Sequence, residues 1–443
     1  MKTKIKNIVF SSLTTLAITL PALALANAQT PKNIIMVVAD GMGPAYTTAY
    51  RYFKDDPNTE IVEQTVFDRH YVGSSSTFPH HDSGYVTDSA ASATALAAGI
   101  KSYNGAIGVD ANKQPVDSVL KMAKQQGMKT GVVVTSQINH ATPASYLAHN
   151  ESRRNYNDIA DSYIDDGIMA DVYLGGGWQY FIRNDRNLIE EFEQSGFRYI
   201  NSYEQLNFTT QSNKLIGLFA DKGLPPALDD SNPHRLREMT KVALKHLEGP
   251  QGFFILIEAS QVDWAGHSND IASAMAEMDD LAKTMELLEH YSASNPDTLV
   301  VLTADHSTGG LTIAANGKYH WQPQDLTHFT MSNYNIAKVL SELDITLTNV
   351  DAMLPFKLSQ SQLQTLQDIK KASKNKTKTD ITEALYGALN QIVDTHTNTG
   401  WTTSGHTAID VPVFALGVGK ERFYGHQDNT DIAKKIFSLL SVQ

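Results

Sequence analysis

Three stretches of the chain bring oxygen and nitrogen donors together at spacings that suit a divalent metal. The first is Glu258-x4-Asp263-x3-His267. A carboxylate and an imidazole at i and i+4 share one helical face, and Glu258 lies further back, placed for a second ion. Alone, a D-x3-H pair is weak, because many such pairs are surface ion pairs. The second stretch is Asp305-His306, adjacent oxygen and nitrogen donors. The third is His406 in Ser404-Gly405-His406, where the glycine permits a tight approach. Mixed His/Asp sets suit zinc, and an oxygen-rich set suits magnesium.

A nucleophile and an anion clamp stand elsewhere. Val86 to Ala95 reads VTDSAASATA, with Asp88 and Ser89 opening an Ala-rich helical run to about Ala98. Ser89 falls at the helix N-terminus, where unpaired N–H groups and the helix dipole favour an anion. Such a serine is an ordinary N-cap or a nucleophile whose product is an anionic ester. Arg153, in Glu151-Ser152-Arg153-Arg154, offers a planar fork that matches two phosphate oxygens, although paired arginines are more often solvated. His140-Ala141-Thr142-Pro143 adds an imidazole and a hydroxyl. His70, His234 and His426 have no neighbour in the sequence that sets them apart from core or surface histidines.

These residues need elements to position them. Asn33 to Ala39 (NIIMVVA), Lys129 to Thr135, Gly252 to Ile257, Thr298 to Ala304 and Val411 to Gly417 are short apolar, β-branched runs. Such runs read as buried parallel strands. Asp40, Glu258 and Asp305 each follow one of them directly. Helical stretches lie between, around Val116 to Gln125, Arg235 to Leu247 and Ile271 to His290. Strands alternating with helices predict an α/β fold, a central and mainly parallel sheet flanked by helices on both faces. In such sheets ligands sit beyond the carboxyl ends of the strands, so the three acids can converge there.

Residues 311–400 break the alternation and read as a large insertion. Lys370 to Lys378 is basic and polar, suiting an exposed connector. Asp380-Ile381-Thr382-Glu383 has the D-x-x-E form of a capping box and predicts a helix from there to about Ile392. Apolar runs such as Ala337 to Leu347 need a cover. A second subunit would supply it, with the insertion reaching across a homodimer, the alternative being a lid folded on its own subunit.

Composition bounds the rest. The 443 residues carry a net charge of −12, which disfavours nucleic acid as a main partner. An anionic substrate would then need bound cations for local attraction. Residues 1–28 read as a secretory signal: Lys2, Lys4 and Lys6, an apolar stretch from Ile8 to Leu25, and Ala26-Asn27-Ala28 before the cut. Residues 29–443 then form one catalytic domain, periplasmic or secreted. There is no cysteine, so no disulfide supports it. No later segment is long and apolar enough to span a bilayer.

Taken together, Val86 to Ala95, Asp40-Gly41-Met42-Gly43, Ala141-Thr142-Pro143, Glu258 to His267, Thr303-Ala304-Asp305-His306 and Ser404-Gly405-His406 resemble alkaline phosphatase in order and spacing. The long insertion resembles that of the marine Vibrio-type branch of the family. The resemblance implies phosphate-monoester hydrolysis through a phosphoserine on Ser89, with two zinc ions and one magnesium ion per subunit. It implies Asp263, His267 and His406 around one zinc, and Asp40, Asp305 and His306 around the other, which also touches Ser89. It implies Asp40, Thr142 and Glu258 around magnesium, Arg153 on the phosphate, and Asp88 and His140 behind these groups. Relatives carry Asp where this chain has His140, and Lys or another residue where it has Trp264. An imidazole at 140 removes a negative charge beside the magnesium, and Trp264, on the substrate side, leaves out a cation. A sulfatase would show a Cys or Ser followed by x-Pro-x-Arg, which Ser89-Ala90-Ala91-Ser92 lacks. An exported metal- or phosphate-binding protein would have no need of the Asp88-Ser89 pair.

Overall fold

Asn33–Val38 (β1) is NIIMVV, and all six residues are buried. Because side chains alternate across a strand, Ile34, Met36 and Val38 enter one apolar cluster and Ile35 and Val37 the other. β1 therefore lies at the middle of a sheet covered on both faces, as a run without polar alternation requires. The computed structural model describes residues 30–210, 214–373 and 375–441, so the leader expected over 1–28 lies outside the described residues.

The other strands of the main sheet are Tyr71–Ser76 (β2), Lys129–Gln137 (β3), Val172–Gly176 (β4), Phe197–Ile200 (β5), Lys214–Leu218 (β6), Phe253–Glu258 (β7), Thr298–Thr303 (β8), Val411–Gly417 (β9) and Gly425–Asp428 (β10). They form one ten-stranded sheet in the order β10-β2-β9-β8-β1-β7-β3-β4-β6-β5. All pairs are parallel except those of β9, which runs antiparallel to both β8 and β2. The mainly parallel α/β sheet is as expected. One further strand, β10, follows Val411–Gly417 and pairs with β2. β2, β4, β5, β6 and β10 are short or polar and carry little signal of their own.

Register sets the site. Val38 of β1 pairs with Glu258 of β7 and with Thr303 of β8. Asp40, Glu258 and Asp305 thus leave three adjacent strands at nearly the same height.

The helices that matter are Ser89–Ala98 (α1), Ala141–Leu147 (α2), Gln261–His267 (α3) and Ile271–Ser294 (α4). α1 is buried along nearly its whole length, which its small side chains permit. Within residues 311–400 lie Asn333–Glu342 (α5), Gln360–Ala372 (α6) and Lys378–Thr397 (α7). α5 and α6 lie against α7, and α7 against α4. Ile336, Leu340, Leu385 and Leu389 are fully buried in the same cluster as Ile35 and Val37. Ala337, Leu340 and Ile345 of the apolar run are therefore covered by their own subunit, while Leu343 is left exposed. The capping box of α7 also differs from the sequence reading. Thr377 is the cap and Asp380 its reciprocal partner, so the helix begins three residues earlier and Glu383 is left exposed.

Candidate active site

Asp88, not Ser89, caps α1: its carboxylate accepts from Ala91 N at 3.0 Å. Ser89 is the first helical residue, 2% exposed, with its Oγ 3.1 Å from His306 Nε2. The capping role is thus filled by the neighbour, and the serine hydroxyl is turned toward the strand ends.

Around it stand the sequence-predicted donors. His306 Nε2 lies 3.4 Å from Asp40 Oδ1 and 3.2 Å from Asp305 Oδ2. Asp305 Oδ1 accepts from Gly41 N at 3.1 Å. Gly41 sits at φ +75°, and a Cβ there would lie 2.7 Å from Asp263 Cα, so only glycine fits between the carboxylates. Asp263 and His267 occupy one face of α3, with Asp263 Oδ2 3.3 Å from His267 Nε2. His406 Nε2 closes this second group, 3.2 Å from His267 Nε2 and 3.8 Å from Asp263 Oδ1. Backbone carbonyls hold the outer nitrogens: His267 Nδ1 is 2.6 Å from Ser404 O, and His406 Nδ1 is 2.8 Å from Thr87 O. With Nδ1 turned outward, each ring in its neutral form has an Nε2 lone pair on the side of the other, an arrangement that suits a cation between them.

A third group joins Asp40, Glu258 and His140, whose donor atoms lie within 4.8 Å of one another. Thr142, the expected third donor beside Asp40 and Glu258, is fully buried with an unpartnered hydroxyl. His140, expected behind this group, is brought into it. His80, His81 and Asp82 form a further cluster, made of consecutive, mostly exposed residues.

The donors fit metal ions on an independent observation. Asp40 Oδ1 and Oδ2, Asp305 Oδ2, Glu258 Oε1 and Thr142 Oγ1 are all buried without a hydrogen-bond partner. Buried charge left unpaired is costly unless it binds a cation, and here the orphaned atoms coincide with the predicted ligands. Their titration shows the same crowding. Burial, then the charge of Asp305, pushes Asp40 far above the usual carboxylate range. Burial lifts Glu258 to about 7. His406 is held down to about 4 by burial and then by His306, while its hydrogen bond to Asp263 lifts His267 to about 9.

Arg153 and Arg154 part company. Arg154 is exposed. Arg153 reaches inward, with Nη1 3.1 Å from Asp88 Oδ2 and Nη2 3.4 Å from His140 Nε2. Burial and then the Arg153 charge hold His140 down to about 3, so it stays neutral and accepts. Trp264 is half-buried, its ring edge-on to His140 with centroids 5.9 Å apart. His70, His234 and His426 each pair with a carboxylate, Glu289, Asp279 and Asp410 respectively, away from this centre.

Two participants carry no signal in the sequence. Ser136 Oγ donates to Glu258 Oε2 at 3.1 Å. Thr308 Oγ1 touches both Asp263 and His306. Only the proximity of Thr308 to His306 in the chain could have drawn attention to it.

The family model for alkaline phosphatase matches residues 31–442. The chain belongs to the alkaline phosphatase family. Alkaline phosphatase 3 of Bacillus subtilis is 42% identical over 416 residues, covering 92% of this chain and 89% of that protein. Among solved structures, the cold-active alkaline phosphatase of a psychrophilic Shewanella is 49% identical with a TM-score of 0.87, covering 92% of this chain and 99% of that one. The alkaline phosphatase of the Antarctic bacterium TAB5 is 27% identical with a TM-score of 0.69, over 94% and 99% of the two chains. One of its variants holds Mg in a site called M3. Alkaline phosphatases are metal-dependent hydrolases of phosphate monoesters, and this chain shares that activity.

Proposed function

We propose that Ser89 is the nucleophile of a two-step hydrolysis. The observation that carries this is the placement of its Oγ, buried, 3.1 Å from His306 and at the end of α1 beside the orphaned carboxylates. In the first step a bond forms between Ser89 Oγ and phosphorus as the ester P–O bond breaks, and the alcohol departs with a proton. In the second, water takes the place of the serine and frees inorganic phosphate. The N-terminal amides of α1 face the developing negative charge. Arg153, anchored by Asp88, turns its remaining N–H groups toward the phosphate oxygens.

Asp263, His267 and His406 would hold one zinc, and Asp40, Asp305 and His306 the other, beside Ser89. Asp40, Thr142 and Glu258 would hold magnesium, with His140 close by. Bound there, the ions would supply charge stabilisation at the attacking and leaving oxygens of a reaction that is very slow uncatalysed. Trp264 borders the phosphate site through His140.

Ser89→Ala tests the assignment. It should still be inhibited competitively by phosphate while losing nearly all turnover, and acid quenching with labelled phosphate should mark Ser89 in the unchanged protein only. Full activity in Ser89→Ala would overturn it.

Export and a homodimer complete the reading. Among the described residues no helix is long and apolar enough to cross a membrane. With the insertion's helices covered by their own subunit, what supports a partner contact is its stretch before α5, where Tyr319 is fully exposed.

A further inference from the structure

Thr308 lies on the two-residue strand Ser307–Thr308, which pairs antiparallel with His406–Thr407 and sets Thr308 opposite His406. It is fully buried. Its Oγ1 is 2.5 Å from Asp263 Oδ1 and 3.2 Å from His306 Nδ1. Asp263 belongs to one donor group and His306 to the other.

A hydroxyl has one proton to give and lone pairs to receive. An ionised carboxylate only accepts, and two bare oxygens would repel at 2.5 Å, so the Thr308 proton points at Asp263. The hydroxyl can then only accept from His306, which requires the proton of that ring to sit on Nδ1. The His306 tautomer is thereby fixed, and its Nε2 lone pair faces Ser89, Asp40 and Asp305 at 3.1, 3.4 and 3.2 Å. The same contact holds Asp263 so that Oδ2 meets His267 at 3.3 Å. One proton decides the orientation of a ligand in each group.

We propose that Thr308 is a positioning residue that couples the two zinc centres. Filling one centre fixes its ligand, and through the shared hydroxyl it lowers the cost of ordering the ligand of the other. Binding of the two ions is therefore cooperative. The inference rests on the metal-dependent reading of the site given above.

Thr308→Val keeps the shape and removes the hydroxyl, and Thr308→Ser keeps the hydroxyl. The metal-stripped proteins are titrated with zinc against a competing chelator, with thermal unfolding of the stripped form measured in parallel. Loss of an outer-shell partner lowers metal affinity by about 10- to 100-fold. Thr308→Val should show that loss at both zinc ions and bind them without cooperativity. Thr308→Ser should bind as the unchanged protein does, and all three stripped forms should unfold together. The proposal is overturned if Thr308→Val binds both ions normally, if it loses one ion only, if Thr308→Ser is equally impaired, or if stripped Thr308→Val unfolds early. Should the unchanged protein take up no zinc, the metal assignment itself fails, and the coupling with it.

Discussion

Replacing Arg153 by Ala removes a guanidinium whose side chain is 21% exposed and whose Nη1 is held 3.1 Å from Asp88 Oδ2. Two charge-assisted hydrogen bonds to phosphate are then lost, each contributing about 1.5–3 kcal/mol. Arg153 is open enough for water to replace part of that, so the lower end applies, about 3 kcal/mol in all. At 1.4 kcal/mol per factor of ten this is a fall of roughly 150-fold in kcat/KM. Asp88 keeps its bonds to Ala91 N and Gly105 N, each 3.0 Å, so α1 should stay capped and the fold intact. Arg153→Lys retains charge but not the fork, and an intermediate loss of about tenfold follows. The assay is steady-state hydrolysis of an aryl phosphate, with the inhibition constant of inorganic phosphate and the metal content measured on the same samples. Phosphate inhibition should weaken and metal content should not change. Arg154→Ala, at an exposed position, should leave every value alone. An equal effect from Arg154→Ala, or undiminished phosphate inhibition in Arg153→Ala, refutes the reasoning.

Exhaustive chelation should abolish turnover and lower the melting temperature together, since an ion at 100 times its Kd adds about 2.7 kcal/mol to the native state; activity that survives verified metal loss contradicts the site. Burial pushes Asp394 up to about 7 in the folded chain, against an ordinary 3.8. The native state therefore holds a proton that the unfolded state has released, and stability falls as pH rises through that window. Asp394→Asn keeps an acceptor for Trp401 Nε1, now at 3.2 Å, and should stabilise by about 4 kcal/mol at pH 9 and by little at pH 4, read by thermal unfolding. Sedimentation of the intact protein should give a dimer, and Tyr319→Glu should shift its dissociation to higher protein concentration; a monomer at all concentrations removes the dimer.

The strands that carry ligands were legible because each is an uninterrupted apolar run ending in an acid. β1, β7 and β8 are of this kind. β2 (YVGSSS) and β10 (GHQD) were not, because they are polar or half-exposed and owe their place to β9. Ligand residues with ionisable side chains were visible for the same reason that they are unusual: they stand where a core should be apolar. Thr308 and Ser136 look like any strand hydroxyl, and only their distances distinguish them. In the insertion, apolar runs say that a cover is needed, not whose surface supplies it, and for Ile336, Leu340, Leu385 and Leu389 the subunit itself does. Asp380 misled because Glu383 offered a second, equally regular box one turn too late.

β9 enters the sheet between β8 and β2, and His406 stands just ahead of it. The chain thus closes its centre with a histidine and a strand drawn from beyond residue 400. Until Val411 onward is in place, β2 and β10 have no neighbour joining them to the other strands, and His406 has no fixed approach to Asp263. A chain cut before His406 should therefore lack activity, and its phosphatase assay checks this. Pairings this distant in sequence form slowly.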